Sequence, residues 1–473
     1  MRTVAFLVLS LLASCSLVID EDVEVDHSRE FGGAAVAGEL PPVILIPGVL
    51  GSRLYNTKNG EIAWGSFAAS ISELKDGLDL PIDRGSLARN RDDLAAYRVL
   101  DRAEVLNREG SGEIAVYSEI IEYLRTTLGY RPAFGERFHS GQNLFVFFYD
   151  WRRSNVEAAL QLAEFIENIR SDLNAPGMKF RFLCVSNGGL IARYYVRHGG
   201  VDVVSGREPG EPLPDRTGKS SACEQIICLG TPHSGTMDAL KLLHEGYTPS
   251  ALARNHSPAT IFSFPSAFEL LPVPGERVFV GDGGEPLDVD LWNAQDWISY
   301  GVSVFSYRER VRLVNESRQK FRDEEERESY VDKIETTRRE HLERCLKHAA
   351  RFHESIAGRS EVPLATVLGA TTPTLARAGL VKEAEEWELF FGPRFTWQAL
   401  DPMAGAMFLL GDGVVTRRSG LGLPLPSFRG GRESKGFRVD TWSYATYRHR
   451  QMFEDDLLRV AVSHLLTGPV FSR

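Results

Sequence analysis

Short apolar runs alternate along the chain with longer amphipathic stretches, which is the pattern of parallel strands connected by helices. The pattern predicts strands at "PVILIPG" (42–48), "NLFVFFYDW" (143–151), "KFRFLCV" (179–185), "EQIICLG" (224–230), "VPLATVLGA" (362–370), "AMFLLGDG" (406–413) and "TWSYATY" (441–447). It predicts helices at 115–130, 155–173, 188–199 and 453–466. We therefore expect an α/β protein with a mostly parallel sheet flanked by helices.

Two stretches interrupt this alternation. Residues 52–114 are rich in charged and turn residues. Residues 234–361 have two parts: the first contains an aromatic, proline-rich insert at 259–274, and the second, 308–357, lacks glycine and proline. The helical spacing in the latter places six apolar residues on one face: Leu342, Cys345, Leu346, Ala349, Phe352 and Ile356. We interpret it as a packed amphipathic helix, with a cap or lid over an active site as the functional alternative.

The composition is that of an ordinary globular protein, with 43% hydrophobic and 25% charged residues among 473. A net charge of −10 without a cluster of Lys and Arg argues against nucleic acid as a partner. The eleven histidines form no array of the H-E-x-x-H kind. We therefore expect neither a metal ion nor another cofactor.

Residues 1–15 resemble the signal peptide of a bacterial lipoprotein. Arg2 precedes an apolar segment that ends in Leu12-Ala13-Ser14-Cys15, which resembles a lipobox whose cysteine carries the lipid. An ordinary signal peptide cut nearby is the alternative. Residues 16–40 are then a flexible tether and residues 41–473 the folded domain. We expect an exported protein of the bacterial envelope, held at the membrane surface through Cys15, or alternatively a secreted one.

The stretch "FLCVSNGGLIARYYV" (182–196) runs from a predicted strand into a predicted helix through a Ser-Asn-Gly-Gly turn. The nucleophile elbow of hydrolases, G-x-S-x-G, places its serine on such a turn. Here Cys184 stands in place of the first glycine, while Gly188 and Gly189 are the small residues that let the helix approach the strand. Ser186 is the candidate nucleophile, and a serine in an ordinary turn is the alternative.

An α/β-hydrolase presents its catalytic residues in the chain order serine, acid, histidine. Asp412 lies between two glycines directly after an apolar run, and His449 lies between the last strand and the closing helix. They are the candidate acid and base. The oxyanion hole requires two backbone N–H groups. We expect one from Asn187, after the serine, and the other from Val49 or Leu50, after the first strand.

Several motifs together resemble the lecithin–cholesterol acyltransferase family in its bacterial branch, over about residues 41–466. They are "VILIPGVLGSRL" (43–54), "LGYRPA" (128–133), "FVFFYDWRRS" (145–154), "SNGGLIARYYV" (186–196), "CLGTPHSGT" (228–236), "FPSAFELLP" (264–272), "LKHAARFHES" (346–355) and "GDGVV" (411–415). The resemblance implies an α/β-hydrolase fold with helical insertions. It also implies Ser186 as nucleophile, Asp412 as acid, His449 as base, and Val49 and Asn187 as oxyanion donors.

Members of this family cleave the acyl ester of a lipid and pass the acyl group through the serine to an alcohol or to water. We therefore expect a serine-dependent lipid acyl-ester hydrolase or O-acyltransferase, and the sequence does not decide between the two. The lipid substrate is expected partly from the family and partly from the apolar insert at 259–274. Because Cys184, Val185 and Asn187 depart from the family's elbow, the alternative is an inactive, hydrolase-like binding protein tethered in the envelope.

Overall fold

Strands and helices alternate along the described part of the chain. The structure of the protein, a computed structural model, describes residues 40–67, 77–82, 85–107, 110–214, 222–248, 255–394, 401–426, 437 and 439–470. The strands are β1 (Val43–Ile46), β2 (Ser52–Asn56), β3 (Ile62–Trp64), β4 (Ser66–Phe67), β5 (Leu94–Val99), β6 (Arg102–Asn107), β7 (Gly110–Ala115), β8 (Pro132–Ala133), β9 (Leu144–Val146), β10 (Phe180–Val185), β11 (Cys223–Leu229), β12 (Phe279–Val280), β13 (Leu364–Gly369), β14 (Thr372–Leu375), β15 (Ala378–Glu383), β16 (Glu386–Phe390), β17 (Phe408–Gly411) and β18 (Thr441–Ala445). The helices are α1 (Ser118–Thr126), α2 (Asn155–Asp172), α3 (Gly188–His198), α4 (Met237–Glu245), α5 (Pro258–Phe262), α6 (Pro265–Glu269), α7 (Ala294–Ser299), α8 (Tyr307–Lys320), α9 (Glu324–Ser355), α10 (Pro402–Met407), α11 (Arg417–Gly420) and α12 (Asp456–Thr467).

Seven strands form the central sheet in the order β18-β13-β11-β10-β1-β9-β8, and every neighbouring pair is parallel. Alternate side chains of a strand point to opposite faces of the sheet. Ile44 and Ile46 therefore belong to the core that includes α2 and α3, whereas Val43 and Leu45 belong to the core that includes α1 and α12. Because both faces are covered, the strands read as continuous apolar runs. The predicted α/β class is confirmed.

Three stretches leave the central sheet. Within residues 52–114, the strands that the structure describes form two small sheets, β3-β2-β5 and β4-β6-β7. Residues 234–361 contain α4 to α9 and the short strand β12. The third stretch, residues 370–440 between β13 and β18, contains β14 to β17, α10 and α11. The sequence pattern did not predict this third interruption of the alternation.

The stretch at 308–357 forms two helices, α8 and α9, rather than one. Asp323 begins α9, because its Oδ1 accepts a hydrogen bond from the backbone N–H of Glu326 at 3.1 Å. The six apolar residues predicted to share one face of this stretch are all buried. That face packs into the core, as the amphipathic pattern predicts.

The aromatic insert at 259–274 also lies in the core. The side chains of Phe262, Phe264 and Phe268 are at most 3% exposed. Phe262 and Phe268 pack edge to face, with ring centroids 5.6 Å apart. These rings stabilise the fold and expose almost no surface, so the insert does not support a lipid substrate.

The strand predicted at 406–413 is also wrong in its extent and its partner. Helix α10 continues to Met407, and β17 begins at Phe408. Strand β17 pairs antiparallel with β14 and lies outside the seven-stranded sheet. A short apolar run has the same pattern in a central strand and in such a ribbon, because periodicity carries no information about the partner strand.

The predicted signal peptide with Cys15, and the tether up to residue 39, lie outside the described residues. Their roles stay predictions. Among the helices that the structure describes, none combines the length and the apolar character that a membrane span requires.

A buried ion cluster stabilises the segment that follows β9. The Arg152 side chain is fully buried, and its Nη1 lies 2.5 Å from Asp92 Oδ2 while its Nη2 lies 2.7 Å from Asp150 Oδ2. Nη1 also donates to the backbone oxygen of Leu78 at 2.9 Å. The buried guanidinium group thus finds its hydrogen-bond partners inside the protein. Because two of them, Leu78 and Asp92, belong to the 52–114 stretch, Arg152 holds that stretch against the segment after β9.

We expect Arg152→Ala to lower the free energy of unfolding by about 3–5 kcal/mol, because it leaves two carboxylates without their buried partner. Urea unfolding of both proteins measures the difference. Arg310→Ala is the control: its exposed pair with Glu386 spans 3.0 Å, and its loss should change the free energy by less than about 1 kcal/mol. Equal losses in the two variants would contradict this role of Arg152.

Candidate active site

Ser186 occupies a sharp turn between β10 and α3. Its φ of 51° lies in the left-handed region, which non-glycine residues seldom adopt and which costs about 1–3 kcal/mol. The surrounding chain fixes this conformation: the Ser186 N–H donates to Leu229 O at 2.8 Å, and Ser186 O accepts from the Thr231 hydroxyl at 2.8 Å. The local structure is the strand–turn–helix of a nucleophile elbow, with the serine at its apex.

The small residue at 188 allows the helix to start directly against β1. A Cβ atom on Gly188 would lie 2.4 Å from the backbone oxygen of Ile46, a clash that any side chain would cause unless the backbone moved. Cys184, which replaces the usual first glycine, is fully buried beside its register partner Cys228. Both are free thiols, and burial together with the neighbouring Cys228 thiol raises the pKa of Cys184. The core therefore accommodates Cys184 without disturbing the turn.

The structure brings Ser186, His449 and Asp412 together in one hydrogen-bonded chain. The Ser186 hydroxyl lies 3.0 Å from His449 Nε2, and His449 Nδ1 lies 2.7 Å from Asp412 Oδ2. The other carboxylate oxygen, Asp412 Oδ1, accepts from the N–H groups of Val414 and Val415 at 3.0 and 2.7 Å. With both oxygens held, the carboxylate directs Oδ2 at the imidazole and fixes its tautomer, with Nδ1 donating and Nε2 accepting.

Asp412 reaches this site although its strand lies outside the central sheet. It follows β17 and lies against the end of β13: a Cβ on Gly369 would be 2.6 Å from Asp412 Cβ. The backbone N–H of His449 donates to Asp412 O at 2.8 Å. The acid and the base are thus joined by backbone as well as by side chain, at the carboxyl ends of the sheet strands, where α/β proteins place their sites.

The charge of Asp412 decides the protonation of His449. Burial lowers the pKa of the imidazole, but the charge of Asp412 and its hydrogen bond raise the pKa more, with a smaller raising effect from Asp238 and a lowering one from Arg450. The net result is a pKa above the ordinary value of about 6.5. The contact with Asp412 therefore makes His449 a stronger base, because it stabilises the protonated imidazole.

The loop after β1 passes directly beside Ser186. A Cβ on Gly48 would lie 2.9 Å from Ser186 Cβ and 3.6 Å from its Oγ. The loop is held as a tight turn, because Gly51 N–H donates to Gly48 O at 3.1 Å and Gly48 N–H donates to the Tyr117 hydroxyl at 2.8 Å. Val49 thus follows a glycine whose missing side chain leaves room for the serine, and Asn187 stands at the start of α3, where helix N–H groups have no partner within the helix. Their role as oxyanion donors stays a prediction.

Sequence reasoning missed the side chain of Asn187 and its neighbours. Asn187 is completely buried and hydrogen-bonds to Asn155 and Tyr149. Tyr149 belongs to the Tyr-Asp-Trp-Arg motif. The only signal in the sequence was Asn187 itself, an amide where the family has an apolar residue.

Within the described residues, no group of three or more His, Cys, Asp or Glu side chains is placed to hold a metal ion.

Residues 88–355 match the family described as lecithin:cholesterol acyltransferase, which is more than half of the chain. The chain belongs to the lecithin:cholesterol acyltransferase family. The resemblance seen in the sequence is confirmed, and with it the α/β-hydrolase fold to which the parallel sheet and the elbow correspond. Family membership supports a lipid ester hydrolase or acyltransferase as the activity. The matched residues contain Ser186 but end before Asp412 and His449.

Three solved structures show how far the similarity extends. The crystal structure of the Tle4–Tli4 complex is 15% identical, covers 91% of this chain and 99% of that chain, and has a TM-score of 0.48. The mature lipase BlEst2 of Bacillus licheniformis is 12% identical, with coverages of 92% and 96% and a TM-score of 0.30. EstA from Clostridium botulinum is 10% identical, with coverages of 93% and 90% and a TM-score of 0.32. A search among curated proteins gives no significant match.

Proposed function

We propose that the protein cleaves acyl esters of lipids through a covalent acyl-enzyme on Ser186 and passes the acyl group to water or to an alcohol. One observation carries the proposal. Ser186 Oγ, His449 and Asp412 form a continuous hydrogen-bonded chain of 3.0 and 2.7 Å, with the serine on a strained elbow. A serine hydroxyl needs an adjacent base to become a nucleophile, and that base needs an orienting group.

In the first half of the reaction, Ser186 Oγ attacks the ester carbonyl carbon while its proton moves to His449 Nε2. The carbonyl oxygen carries the developing negative charge toward the backbone N–H groups of Val49 and Asn187. When the tetrahedral intermediate collapses, the bond to the leaving alcohol breaks and that oxygen takes the proton from His449. The acyl group is then esterified to Ser186, and His449 is neutral again.

In the second half, a water molecule or an acceptor alcohol loses its proton to His449 and attacks the acyl-enzyme. Collapse releases a fatty acid or a new ester and returns the proton to Ser186. Asp412 stays ionised throughout and stabilises the imidazolium in each half. A lipid acyl donor is supported by the family alone, because the aromatic insert is buried in the core.

A partition experiment tests the acyl-enzyme. Two donors with the same acyl group, a p-nitrophenyl ester and a phospholipid in detergent micelles, are incubated with a fixed concentration of a primary alcohol. If both donors pass through one intermediate on Ser186, the ratio of new ester to free acid is the same for both donors. That common ratio rises in proportion to the alcohol concentration.

The opposite result is equally clear. A product ratio that depends on the leaving group would mean that the acceptor attacks the donor directly, without a shared intermediate. A hydrolase and an acyltransferase are distinguished in the same data, since the acyltransferase forms the new ester in preference to the acid at millimolar alcohol. Free acid from the alcohol-free reaction serves as the reference.

A further inference from the structure

A buried pair of amides lies directly behind the elbow. The side chains of Asn187 and Asn155 are completely buried. Asn155 Nδ2 donates to Asn187 Oδ1 at 2.9 Å, and Asn187 Nδ2 donates to Asn155 Oδ1 at 2.6 Å. The pair links the first residue after Ser186 to the first turn of α2, so the start of α3 is held by hydrogen bonds as well as by packing.

The Tyr149 hydroxyl extends this pair to the loop after β1. It accepts a hydrogen bond from Asn187 Nδ2 at 3.2 Å and donates one to the backbone oxygen of Pro47 at 3.1 Å. Tyr149 is 1% exposed, so no solvent competes for either bond. One hydroxyl therefore joins the two backbone segments, at Asn187 and at Pro47–Val49, that flank Ser186. We call Asn187, Asn155 and Tyr149 the elbow amide network.

The elbow amide network is anchored at its far end by a buried carboxylate. The backbone N–H of Asn155 donates to Glu269 Oε2 at 2.7 Å. Glu269, which is completely buried, also accepts from the Ser154 hydroxyl at 2.6 Å and lies 3.1 Å from His348 Nε2. These contacts tie the network to α6 and α9, so it is held from both sides and has little freedom to shift.

Such a network is a costly way to fill a core. A buried amide loses its hydration, and an apolar side chain of similar volume at 187 would fill the space without that penalty. An apolar side chain would, however, have no directional contact with Asn155 or Tyr149. What the amide adds is a fixed geometry between the start of α3 and the loop after β1, since hydrogen bonds are directional and packing is not.

We propose that the elbow amide network sets the spacing of the two backbone N–H groups, at Asn187 and Val49, that receive the oxyanion. Tyr149 is then a positioning residue: it touches no reacting atom and acts through Pro47 and Asn187. This inference rests on the proposed acyl-transfer function. Its consequence is a loss that falls on the transition state and leaves ground-state binding of the ester unchanged.

The variant Tyr149→Phe removes only the joining hydroxyl and keeps the ring. We expect kcat on a p-nitrophenyl ester to fall about 10- to 100-fold with KM unchanged, because a shift of about 1 Å in a reacting group has effects of this size. The affinity for a long-chain alkylboronic acid, whose tetrahedral adduct with a serine resembles the intermediate, should fall by the same factor. Rates are expressed per folded protein, measured by thermal unfolding.

The matched control is Tyr194→Phe in α3. Tyr194 is equally buried, and its hydroxyl donates to Val201 O at 3.0 Å and accepts from Val203 N–H at 2.9 Å, away from the elbow. It should lose stability as Tyr149→Phe does but keep kcat and the boronic acid affinity. If Tyr149→Phe does not fold, Asn155→Ala tests the same network, with the same loss in kcat expected.

The outcomes separate the two proposals. A wild-type protein that hydrolyses the ester, with Tyr149→Phe and Asn155→Ala as active as Tyr194→Phe, overturns the inference and leaves the proposed function intact. A lowered kcat accompanied by an equally raised KM, without loss of boronic acid affinity, overturns it too. A folded wild-type protein without activity or boronic acid binding overturns the proposed function and the inference with it.

Discussion

Replacing Ser186 by alanine is expected to lower kcat by about 10⁶-fold, the effect of removing the nucleophile in serine hydrolases. The reason is that Ser186 Oγ is the only hydroxyl within hydrogen-bond distance of His449 Nε2 among the described side chains. Without it no acyl-enzyme forms, and the residual hydrolysis must come from direct attack of water on the ester. Steady-state release of p-nitrophenol at enzyme concentrations high enough to detect the residual rate measures the loss.

The fold of Ser186→Ala should persist, because the contacts that fix the turn use only the backbone N–H and oxygen of residue 186, which alanine keeps. Its thermal unfolding should match that of the wild type within a few degrees. Ser205→Ala, at an exposed serine, is the control and should keep full activity. A Ser186→Ala protein that retains a substantial part of the wild-type kcat would remove Ser186 from the mechanism.

Asp412→Asn is expected to lower kcat by about 10⁴-fold while the protein remains folded. The asparagine oxygen still accepts from Val414 and Val415, so its NH₂ group faces His449 Nδ1. His449 must then accept at Nδ1 and carry its proton on Nε2, where it no longer takes the proton of Ser186. The loss therefore arises from the wrong tautomer, with the three side chains still in place.

The same variant should shift the pH dependence of kcat/KM in a defined direction. In the wild type His449 must be neutral to act as base, and its pKa is raised above about 6.5, so activity falls as the pH drops through that raised pKa. Asp412→Asn removes the charge that raises the pKa, while Asp238 and Arg450 remain. The pKa of His449 falls, and the acid limb of the residual activity moves to lower pH.

Asp401→Asn is the control for both measurements. Asp401 is a buried acid in the same part of the chain, but it caps the start of α10. Its Oδ1 accepts a hydrogen bond from Ala404 N–H at 3.1 Å. This substitution should cost stability and leave kcat and the acid limb in place. Comparable losses of kcat in Asp401→Asn, or an unchanged kcat in Asp412→Asn, would show that the acid is a different residue.

The sheet and the order of the candidate site residues could be predicted from the sequence because both depend on local patterns. Buried parallel strands read as apolar runs, and a serine after such a run, followed by two glycines, predicts an elbow. The break between α8 and α9 was also readable: Asp323 followed three residues later by Glu326 is a helix N-terminal signal. That signal was hidden by the continuous density of charged residues around it.

Other features depend on tertiary contacts and leave no local pattern. Nothing in the apolar run before Asp412 distinguishes a ribbon with β14 from a strand of the central sheet. The hydrogen bonds of Asn187 to Asn155 and Tyr149 join residues 32 and 38 positions apart. The family has an apolar residue at the position of Asn187. The burial of the Asn187 amide and its partners therefore could not be predicted from the local sequence and are known only from the folded structure.

Covalent labelling with a fluorophosphonate, followed by mass spectrometry of the digested protein, tests the reactivity of Ser186 most directly. A nucleophilic Ser186 should give one stoichiometric adduct on the peptide that contains it, absent in Ser186→Ala and formed far more slowly in His449→Ala. A folded protein that takes up no label would behave as an inactive binding protein and would contradict a catalytic role for Ser186. So would an adduct on another serine.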